Sequence, residues 1–433
     1  MYDKIYDVCI IGAGASGLVA AIESSRRGLS SVVVDKNKKP GMKLYATGNG
    51  RCNLTNDSWN DTDYYGNEFV EKVYDSVYER TGRRPRKFVI DYFEKLGVKT
   101  TVKKGYVYPA SLQASSVVWS LLDAAKLNNT DFVSRFTVKK IGLYDADNEI
   151  TEKGANYKSI YRISGTLSFD NQEQDADVYA RSVIIATGGL SQKKLGAIDR
   201  DTLVSLLHGA GIPFNEFVDS LCPVIVEEDV SALTGVRTRV NMSVNGINES
   251  GELQITDKGI SGIVTFNMSY YMNTGMPVYI NALPQTTSEE FVEHFNMIKA
   301  LYPEKSLVAF LNGYLNDKLC IYFINKFYGT SQAEKAFKLK DITETGILGI
   351  FEEITNWRLT VKSRCGFDTS QASAGGIITD VIDPETMQLS SDFSIGDNMY
   401  AAGEVTDVIG RCGGYNLTYA FISGYLAGNS VPR

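Results

Sequence analysis

A glycine-rich turn near the start of the chain carries the clearest chemistry in the sequence. Gly12, Gly14 and Gly17 stand in G-x-G-x-x-G spacing between an apolar, strand-like run and an apolar, helix-like run. Glycines at this spacing allow a tight turn and a close backbone approach to a pyrophosphate, which the helix N-terminus stabilises. A second strand-like run ends at Asp35, about 20 residues further on, where the pattern places an acid. The stretch predicts a dinucleotide-binding βαβ unit whose Asp35 accepts hydrogen bonds from a ribose.

Two later segments are predicted to join this unit. Residues 181–189 form a buried strand that ends in a glycine turn and rejoins the nucleotide-binding sheet. Residues 398–404 form a strand with Glu404 at its tip, and an apolar helix follows over 417–427. Such a helix presents a second positive N-terminus to a ligand. We therefore expect a nucleotide-binding domain made from both chain termini, with other domains inserted.

The interior of the chain is more varied. Residues 42–56 lack helix or strand periodicity and are rich in Gly, Asn and Thr, which predicts either a loop that wraps a polar ligand or an ordinary surface loop. One helix is predicted over about 69–96. Alternating segments, clearest as strands at 264–268 and 278–280, indicate a mostly β second domain. Between about 286 and 362 the apolar spacing becomes helical, which predicts a small helical insertion.

Composition limits the class of protein. The 433 residues carry a formal charge of −7 and no run of Lys or Arg, which argues against a nucleic-acid partner. No apolar run approaches the ~20 residues of a membrane span, and the N-terminus does not resemble a signal peptide. The six cysteines form no C-x-x-C or metal-ligand spacing, so we expect reduced thiols in a cytoplasmic protein. The two histidines fall in helical, partly apolar segments, and no metal site is predicted.

Motifs along the chain resemble known flavoproteins. The glycine-rich unit, the turn at 186–189 and Ala402-Gly403-Glu404 together resemble the two-dinucleotide-binding-domain flavoproteins. More narrowly, residues 43–56, 251–262 and 410–416 resemble a bacterial flavoprotein family with bile-acid-reductase-like and aminoacetone-oxidase-like members. The resemblance covers nearly the whole chain, and the first and last of these motifs are long and specific.

The resemblance implies an α/β fold in which both chain termini form a Rossmann-like FAD-binding domain, with an inserted mostly-β domain and a small helical insertion. The predicted boundaries are 1–190 and 366–433 for the FAD-binding domain, 191–285 for a β-rich substrate domain, 286–345 for the helical insertion and 346–365 for a return through the β domain.

It also implies FAD as the cofactor and assigns residues to it. Asp35 takes the adenosine ribose, although such families more often have the longer Glu there. The backbone of Val138 meets the adenine, Gly403 and Glu404 lie along the ribityl-pyrophosphate, and the helix that begins near Gly414 approaches the flavin pyrimidine edge. The predicted FAD-binding residues are Gly12, Gly14, Ala15, Ser16, Gly17, Asp35, Lys36, Lys43, Thr47, Gly48, Asn49, Gly50, Arg51, Cys52, Asn53, Val138, Ala186, Thr187, Gly188, Gly403, Glu404, Gly414, Tyr415, Asn416 and Leu417.

Two enzymatic functions are compatible with the resemblance. One is a reductase that uses NADH or NADPH, docked transiently because no second G-x-G-x-x-G unit occurs, to reduce the activated C=C of a steroid or bile-acid-like enone. The other is an amine oxidase that yields hydrogen peroxide. A third hypothesis is a flavin-binding sensor or RNA-modification partner without turnover of its own. For either enzyme the substrate is a small molecule, and Arg51 and Tyr415 are the candidate catalytic residues.

Cysteines and tyrosines leave alternatives open. Cys52 and Cys412 lie in segments predicted to touch the flavin and are either a redox pair or two small packed residues. The tyrosines either line the pocket of a bulky apolar substrate, one of them as proton donor, or fill surface and core of the β domain. Those considered are Tyr45, Tyr106, Tyr108, Tyr270, Tyr271 and Tyr415.

Overall fold

The computed structural model describes residues 4–58, 63–65, 67–144, 160–169, 172–329 and 337–433. The chain divides into two compact units, Met1–Val218 with Gln371–Arg433, and Asp219–Ser370. The first unit contains both termini, which confirms the predicted architecture. The finer domain boundaries given above stay predictions.

In chain order the strands are β1 (Ile5–Tyr6), β2 (Val8–Ile11), β3 (Ser31–Asp35), β4 (Thr55–Asn56), β5 (Tyr64–Tyr65), β6 (Thr100–Lys103), β7 (Tyr106–Pro109), β8 (Asp131–Ser134), β9 (Phe136–Tyr144), β10 (Ile160–Phe169), β11 (Gln172–Ala180), β12 (Val183–Ile185), β13 (Phe214–Ser220), β14 (Val224–Val226), β15 (Arg237–Val244), β16 (Ile247–Ile255), β17 (Gly259–Ser261), β18 (Pro277–Asn281), β19 (Trp357–Arg364), β20 (Ala372–Ile377), β21 (Met399–Ala401) and β22 (Ile409–Gly410).

The α-helices are α1 (Ala15–Arg26), α2 (Met42–Gly50), α3 (Asn67–Thr81), α4 (Pro85–Lys95), α5 (Ala114–Leu127), α6 (Arg200–Gly209), α7 (Ile263–Met268), α8 (Ser288–Leu301), α9 (Leu307–Leu311), α10 (Asp317–Tyr328), α11 (Glu344–Thr355) and α12 (Tyr415–Ser430). Among the described residues, none of these helices has the length and apolar character that crossing a membrane requires.

The first unit is organised around a parallel sheet with strand order β21-β12-β2-β3-β8. Every residue of β2 and β12 is buried, which is typical of parallel strands covered on both faces. As predicted, β12 rejoins the nucleotide-binding sheet beside β2, with Ile184 opposite Ile10. A second sheet has the order β1-β11-β10-β9, and the small sheet β4-β7-β6 lies in the same unit.

Helices α1 and α12 pack with their backbones in contact. A Cβ built on Gly424 would lie 2.3 Å from the carbonyl oxygen of Ser16, and one on Gly428 would lie 2.4 Å from that of Ala20. Only residues without a side chain permit this approach. The C-terminal helix is therefore fixed directly on the helix that follows the glycine-rich turn.

The second unit closes β14-β17-β16-β15-β18-β19 into a barrel. The barrel strands and helices α8, α10 and α11 contribute to one hydrophobic core, which includes Phe291, Phe323 and Trp357, all fully buried. The predicted β-rich segment and the predicted helical segment thus share a core.

Some local predictions were wrong. The segment 264–268, predicted as a strand, is helix α7, because Gly262 at φ +96° turns the chain so tightly that a Cβ there would lie 2.4 Å from the Glu252 carbonyl oxygen. The predicted helical region ends before β19, in which Trp357, Leu359 and Val361 alternate inward and are fully buried.

The predicted helix over 69–96 is two helices, α3 and α4. Gly82 at φ +66° ends the first, and Pro85 occupies the first turn of the second. Proline fits the first helical turn but cannot continue a helix from the residues before it, so the break lies where these two residues stand.

Candidate functional site

The site is assembled at one edge of the parallel sheet of the first unit. Strands β2, β12 and β21 run parallel and in register, with Ile11 opposite Ile185 and Ile185 opposite Ala401. Their carboxyl ends therefore meet, and the predicted segments that follow them, at 12–17, 186–188 and 403–404, lie side by side. This is the edge at which open α/β sheets bind ligands.

The glycines of the glycine-rich turn differ in the space around them. A Cβ on Gly12 would lie 2.3 Å from the Ala186 carbonyl oxygen, and one on Gly17 would lie 1.9 Å from the Gly12 carbonyl oxygen. In contrast, a Cβ on Gly14 would meet nothing within 4 Å. Gly12 and Gly17 are thus required by the chain itself, whereas Gly14 leaves room in front of the N-terminus of α1 for a group that approaches the backbone.

Asp35 holds the turn from the end of β3. Its carboxylate accepts hydrogen bonds from the backbone N–H of Ala13 at 2.7 Å and of Asn37 at 2.6 Å. Burial raises the pKa of Asp35, although these hydrogen bonds oppose the rise. The shorter side chain therefore ties the glycine-rich turn to the next loop, and its ribose contact stays a prediction.

Two other predicted FAD-binding residues, Val138 and Lys36, lie near this loop. Val138 is buried on β9, which packs on β3. The Lys36 ammonium donates to the Ala197 carbonyl oxygen, and burial lowers the pKa of Lys36. Lys36 is therefore already engaged with the chain, and the roles of both residues in binding FAD stay predictions.

Lys43 and Glu404 form an ion pair across the site. The Lys43 ammonium lies 2.7 Å from Glu404 Oε2 and 2.8 Å from Ser191 Oγ, which in turn lies 3.0 Å from Glu404 Oε1. The backbone N–H of Ser373 donates to the same Oε1 at 2.9 Å. Burial raises the pKa of Glu404, but Lys43 and these donors outweigh it and the net direction is downward. Of these residues, Ser191 and Ser373 were not predicted, and no sequence pattern indicates them.

The segment predicted as an irregular loop at 42–56 begins as helix α2. Its helical geometry breaks at Thr47, Gly48 and Asn49, where the latter two have φ of +57° and +55°. The prediction of a loop without a helix was thus wrong for the first turns, because the residues that open the segment have high helix propensity and Leu44 among them is buried. After the kink, Asn49, Gly50 and Arg51 are exposed.

Next to this kink lies a buried polar atom that lacks a partner. Within the described part of the chain, Asn53 Oδ1 is buried and accepts no hydrogen bond. It lies 3.1 Å from the position of a Cβ on Gly414, at the start of α12. Buried polar atoms in native proteins are nearly always paired, so this atom indicates a missing donor, such as the imide N–H of a flavin.

The N-terminus of α12 is fixed by side chains predicted to bind FAD. Asn416 exchanges two hydrogen bonds of 2.8 Å with the backbone of Gly410. The Tyr415 hydroxyl lies 3.1 Å from Ser58 Oγ, and burial raises its pKa. Tyr64 donates to the Tyr415 carbonyl oxygen at 2.6 Å. These side chains therefore position the helix end, and among the described residues no side chain caps its first N–H groups. Leu417, in the first turn, is half-buried.

The two cysteines singled out in the sequence differ in environment. Burial raises the pKa of Cys52 to about 12, although Thr47 opposes the rise. Cys412 is half-exposed. A buried, protonated thiol is a poor nucleophile in thiol–disulfide exchange, so packing accounts for Cys52 better than redox relay.

Tyr106 and Tyr108 belong to the neighbourhood of the site; they were considered above among the tyrosines that could line a substrate pocket, but neither was placed among the FAD-binding or catalytic residues. A Cβ on Gly413 would lie 3.1 Å from Tyr106 Cε1, and one on Gly48 would lie 3.6 Å from Tyr108 Cε1. The signal in the sequence was the alternation Tyr-Val-Tyr-Pro after Gly105, which predicts a strand with both tyrosines on one face.

The residues present fit FAD. The room at Gly14 in front of α1 suits a pyrophosphate, the free end of α12 suits an electron-rich ring edge, and the unpaired Asn53 oxygen suits a ring N–H. All three features lie in the first unit and come from the chain segments that the sequence predicted.

Comparison with known proteins identifies a family that covers nearly the whole chain. Residues 6–430 match the family described as HI0933-like protein Rossmann domain. The chain is 30% identical to the 3-dehydro-bile acid delta(4,6)-reductase of Clostridium scindens, and the match covers 98% of each chain. It is also 27% identical to the ribosomal RNA dihydrouridine synthase of Haemophilus influenzae over 98% of each chain. With the Escherichia coli protein of that name the identity is 25%, over 97% of this chain and 96% of the relative.

Proposed function

The chain belongs to the HI0933-like family of Rossmann-domain proteins and is an FAD-dependent oxidoreductase, and from this premise we propose that it is an NAD(P)H-dependent reductase of enones. The expected substrate is a steroid or bile-acid-like compound with a C=C bond conjugated to a carbonyl group. The observation that carries the proposal is the 30% identity, over 98% of both chains, to a bile-acid reductase. The family predicted from the motifs is confirmed by the match over residues 6–430.

FAD, when bound, supplies the hydride chemistry, and the chain supplies binding, orientation and electrostatics. We assign the pyrophosphate to the turn at Gly14 and the ribityl chain to the neighbourhood of Glu404. Lys43 keeps Glu404 ionised and compensates its charge, so that the carboxylate can stay close to a phosphate-bearing ligand. The free N–H groups at the start of α12 favour negative charge on the ring edge that faces them.

The two candidate catalytic residues suit different roles. The Tyr415 hydroxyl already bonds to Ser58 and its ring is buried, so we assign Tyr415 to positioning of the helix end. Arg51 is exposed at the end of the kinked segment. A guanidinium stays protonated at any ordinary pH, so we assign Arg51 to stabilising negative charge that develops on the substrate rather than to proton donation.

Anaerobic stopped-flow absorbance of the purified holoprotein tests the reductase proposal. We expect one of NADH and NADPH to bleach the flavin band quickly, and air to restore it slowly. Bleaching by small amines with rapid reoxidation and peroxide, and none by either nucleotide, would instead establish the amine oxidase that the sequence also allowed.

A second candidate is reduction of uridine in RNA. It is favoured by the two relatives named as ribosomal RNA dihydrouridine synthases, which match nearly the whole chain. The chemistry is related, because the C5=C6 bond of uracil is also conjugated to a carbonyl group. The formal charge of −7 and the lack of a basic run weigh against it. Mass-spectrometric detection of dihydrouridine after incubation of the reduced protein with a uridine-containing RNA would establish it.

A further inference from the structure

Strand β7 presents two tyrosines on one face. Tyr106 and Tyr108 are half-exposed, whereas the alternate residues Val107 and Pro109 are buried. Their rings meet edge to face, with centroids 6.5 Å apart. The pair therefore makes a rigid aromatic surface, because the strand fixes the backbone and each ring restrains the other.

This surface joins the two segments assigned to the flavin ring. Tyr106 lies beside Gly413, which precedes the N-terminus of α12, and Tyr108 lies beside Gly48 in the kinked segment. Arg51 is close enough for its charge to affect Tyr108: burial and Tyr106 raise the pKa of the phenol, and Arg51 opposes the rise. We call Tyr106, Tyr108 and Arg51 the tyrosine face.

Within the described residues, the polar groups of the tyrosine face differ from those of the buried tyrosines nearby. Among the residues that the structure describes, neither the Tyr106 nor the Tyr108 hydroxyl has a hydrogen-bond partner, and Arg51 has no ion pair. By contrast, the Tyr64 and Tyr74 hydroxyls lie 2.7 Å apart and are bonded to each other. Two phenols on one strand face, with a guanidinium within electrostatic range of one of them, are thus without such partners in the part of the chain that the structure describes.

We propose that the tyrosine face binds the hydride acceptor, with the aromatic rings against the planar conjugated system, and that the Tyr108 hydroxyl, supported by Arg51, donates the proton to its carbonyl oxygen. The inference deepens the proposed function and rests on it for the class of acceptor, a small-molecule enone. The formal charge of −7 and the lack of a run of Lys or Arg in the sequence favour an uncharged planar substrate over the backbone of an RNA.

The chemistry balances with the groups named. A hydride adds to the β-carbon of the enone, the C=C electron pair moves between the α-carbon and the carbonyl carbon, and the carbonyl π pair moves onto oxygen. Tyr108 gives that oxygen a proton, Arg51 stabilises the negative charge as it passes from the substrate oxygen to the phenolate, and solvent returns the proton to the half-exposed Tyr108. The enol then becomes the saturated ketone. The two electrons are those that NAD(P)H provides in the proposed function.

The test separates this inference from the proposed function by using holoprotein reduced with dithionite, which bypasses NAD(P)H. Wild type, Tyr108→Phe and Tyr106→Ala are mixed anaerobically with 4-androstene-3,17-dione, and flavin reoxidation is followed. We expect a loss of about 10²-fold or more in Tyr108→Phe, as for removal of a general acid. We expect Tyr106→Ala to weaken binding of the same steroid to the oxidised holoprotein about tenfold, measured from the shift of the flavin band, and to change the saturated rate less.

Two controls accompany these variants. Tyr302→Phe removes a hydroxyl from a tyrosine that is 60% exposed in the second unit, and it should behave as wild type. FAD affinity, measured by fluorescence titration of each apoprotein, should be unchanged in Tyr108→Phe, because the inference gives this hydroxyl to the substrate and not to FAD.

The outcomes are distinct. Wild-type reoxidation by the steroid with unaltered rates and affinity in both variants would overturn the tyrosine face. Reoxidation by a uridine-containing RNA and not by the steroid would overturn the small-molecule acceptor. Failure of NADH and NADPH to reduce the wild type, with the steroid still reoxidising the dithionite-reduced protein through Tyr108, would reject the nucleotide dependence of the proposed function and retain the inference.

Discussion

Two parts of the first unit are rich in glycine and polar side chains. In the first, which we call the matched region, these residues already contact partners within the chain. In the second, the unmatched region, they do not do so within the described residues. At the sheet edge, Gly12 and Gly17 face backbone oxygens with no room for a Cβ, and Lys43 pairs with Glu404. On the tyrosine face, the Tyr106 and Tyr108 hydroxyls have no hydrogen-bond partner within the described residues, and a Cβ on Gly14 would meet nothing within 4 Å. The same residue types thus serve two purposes in adjacent places.

We expect the matched region to determine the stability of the fold and the unmatched region to determine binding and catalysis. A buried polar group that loses its partner costs free energy, and so the matched region must keep its residues for the fold to persist. A half-exposed group without a partner is hydrated at little cost and is available to a ligand. Substitutions in the matched region should therefore reduce stability, and those in the unmatched region should reduce only binding or catalysis.

The largest effect is expected from Gly17→Ala. Its Cβ would lie 1.9 Å from the Gly12 carbonyl oxygen, so backbone must move, and the free energy of unfolding should fall by about 3 kcal/mol or more. Chemical denaturation of the apoprotein measures this. Gly209→Ala is the matched control, because it also lies in a helix but its Cβ would meet nothing within 4 Å. Equal stability of the two variants would contradict the packing argument.

A smaller, pH-dependent effect is expected from Lys43→Met. In the wild type the lowered pKa of Glu404 means that its contribution to stability is present above its ordinary pKa of 4.5 and is lost as pH falls through the folded value. Without Lys43, burial dominates and raises that pKa, so protonation then favours the folded state.

The variant should therefore lose about 1–3 kcal/mol near pH 7, and less toward pH 4. Thermal unfolding of the apoprotein across this range measures the difference. The exposed Lys194→Met serves as control and should show no such trend. A loss that does not depend on pH would mean that Lys43 acts by packing alone.

The sequence predicted the matched region well, for physical reasons. The glycine spacing, the apolar strands and the acid at Asp35 are local patterns in the sequence. Each predicts a feature of the backbone nearby, and the structure contains these features. The joining of Ala186 and Gly403 to Gly12 followed because the ends of parallel strands meet at one edge.

The unmatched region was less predictable. Whether a tyrosine hydroxyl has a partner depends on residues distant in sequence: Tyr64 is bonded to Tyr415, whereas Tyr106 and Tyr108 face no acceptor within the part of the chain described. Helix α7 was missed for the same reason, because its β-branched residues resemble a strand until Gly262 and its neighbours on β16 are in place.

The hydroxyls of Tyr64 and Tyr108 provide a direct test of the contrast between the matched and unmatched regions. Tyr64→Phe removes hydrogen bonds to Tyr74 and to the Tyr415 carbonyl oxygen, and should lower the free energy of unfolding by about 1–2 kcal/mol. Tyr108→Phe should change it by less than about 0.5 kcal/mol, since no bond is lost. Urea denaturation of both apoproteins measures the pair of values. A destabilised Tyr108→Phe would mean that its hydroxyl serves the fold.

The smallest effect on stability, with a large one on binding, is expected from Gly14→Ala. Its Cβ would meet nothing within 4 Å, and Gly14 is not at positive φ, so the apoprotein should be as stable as wild type within about 1 kcal/mol. The methyl group would occupy the room through which a pyrophosphate reaches the backbone, and FAD affinity should fall at least about tenfold, or about 1.4 kcal/mol. Fluorescence titration with FAD measures this, with Gly209→Ala again as the unaffected control. Gly17→Ala should therefore lose stability, whereas Gly14→Ala should lose only FAD affinity. Undiminished FAD binding by Gly14→Ala would mean that the pyrophosphate binds elsewhere. The distinction between the matched and unmatched regions would then fail.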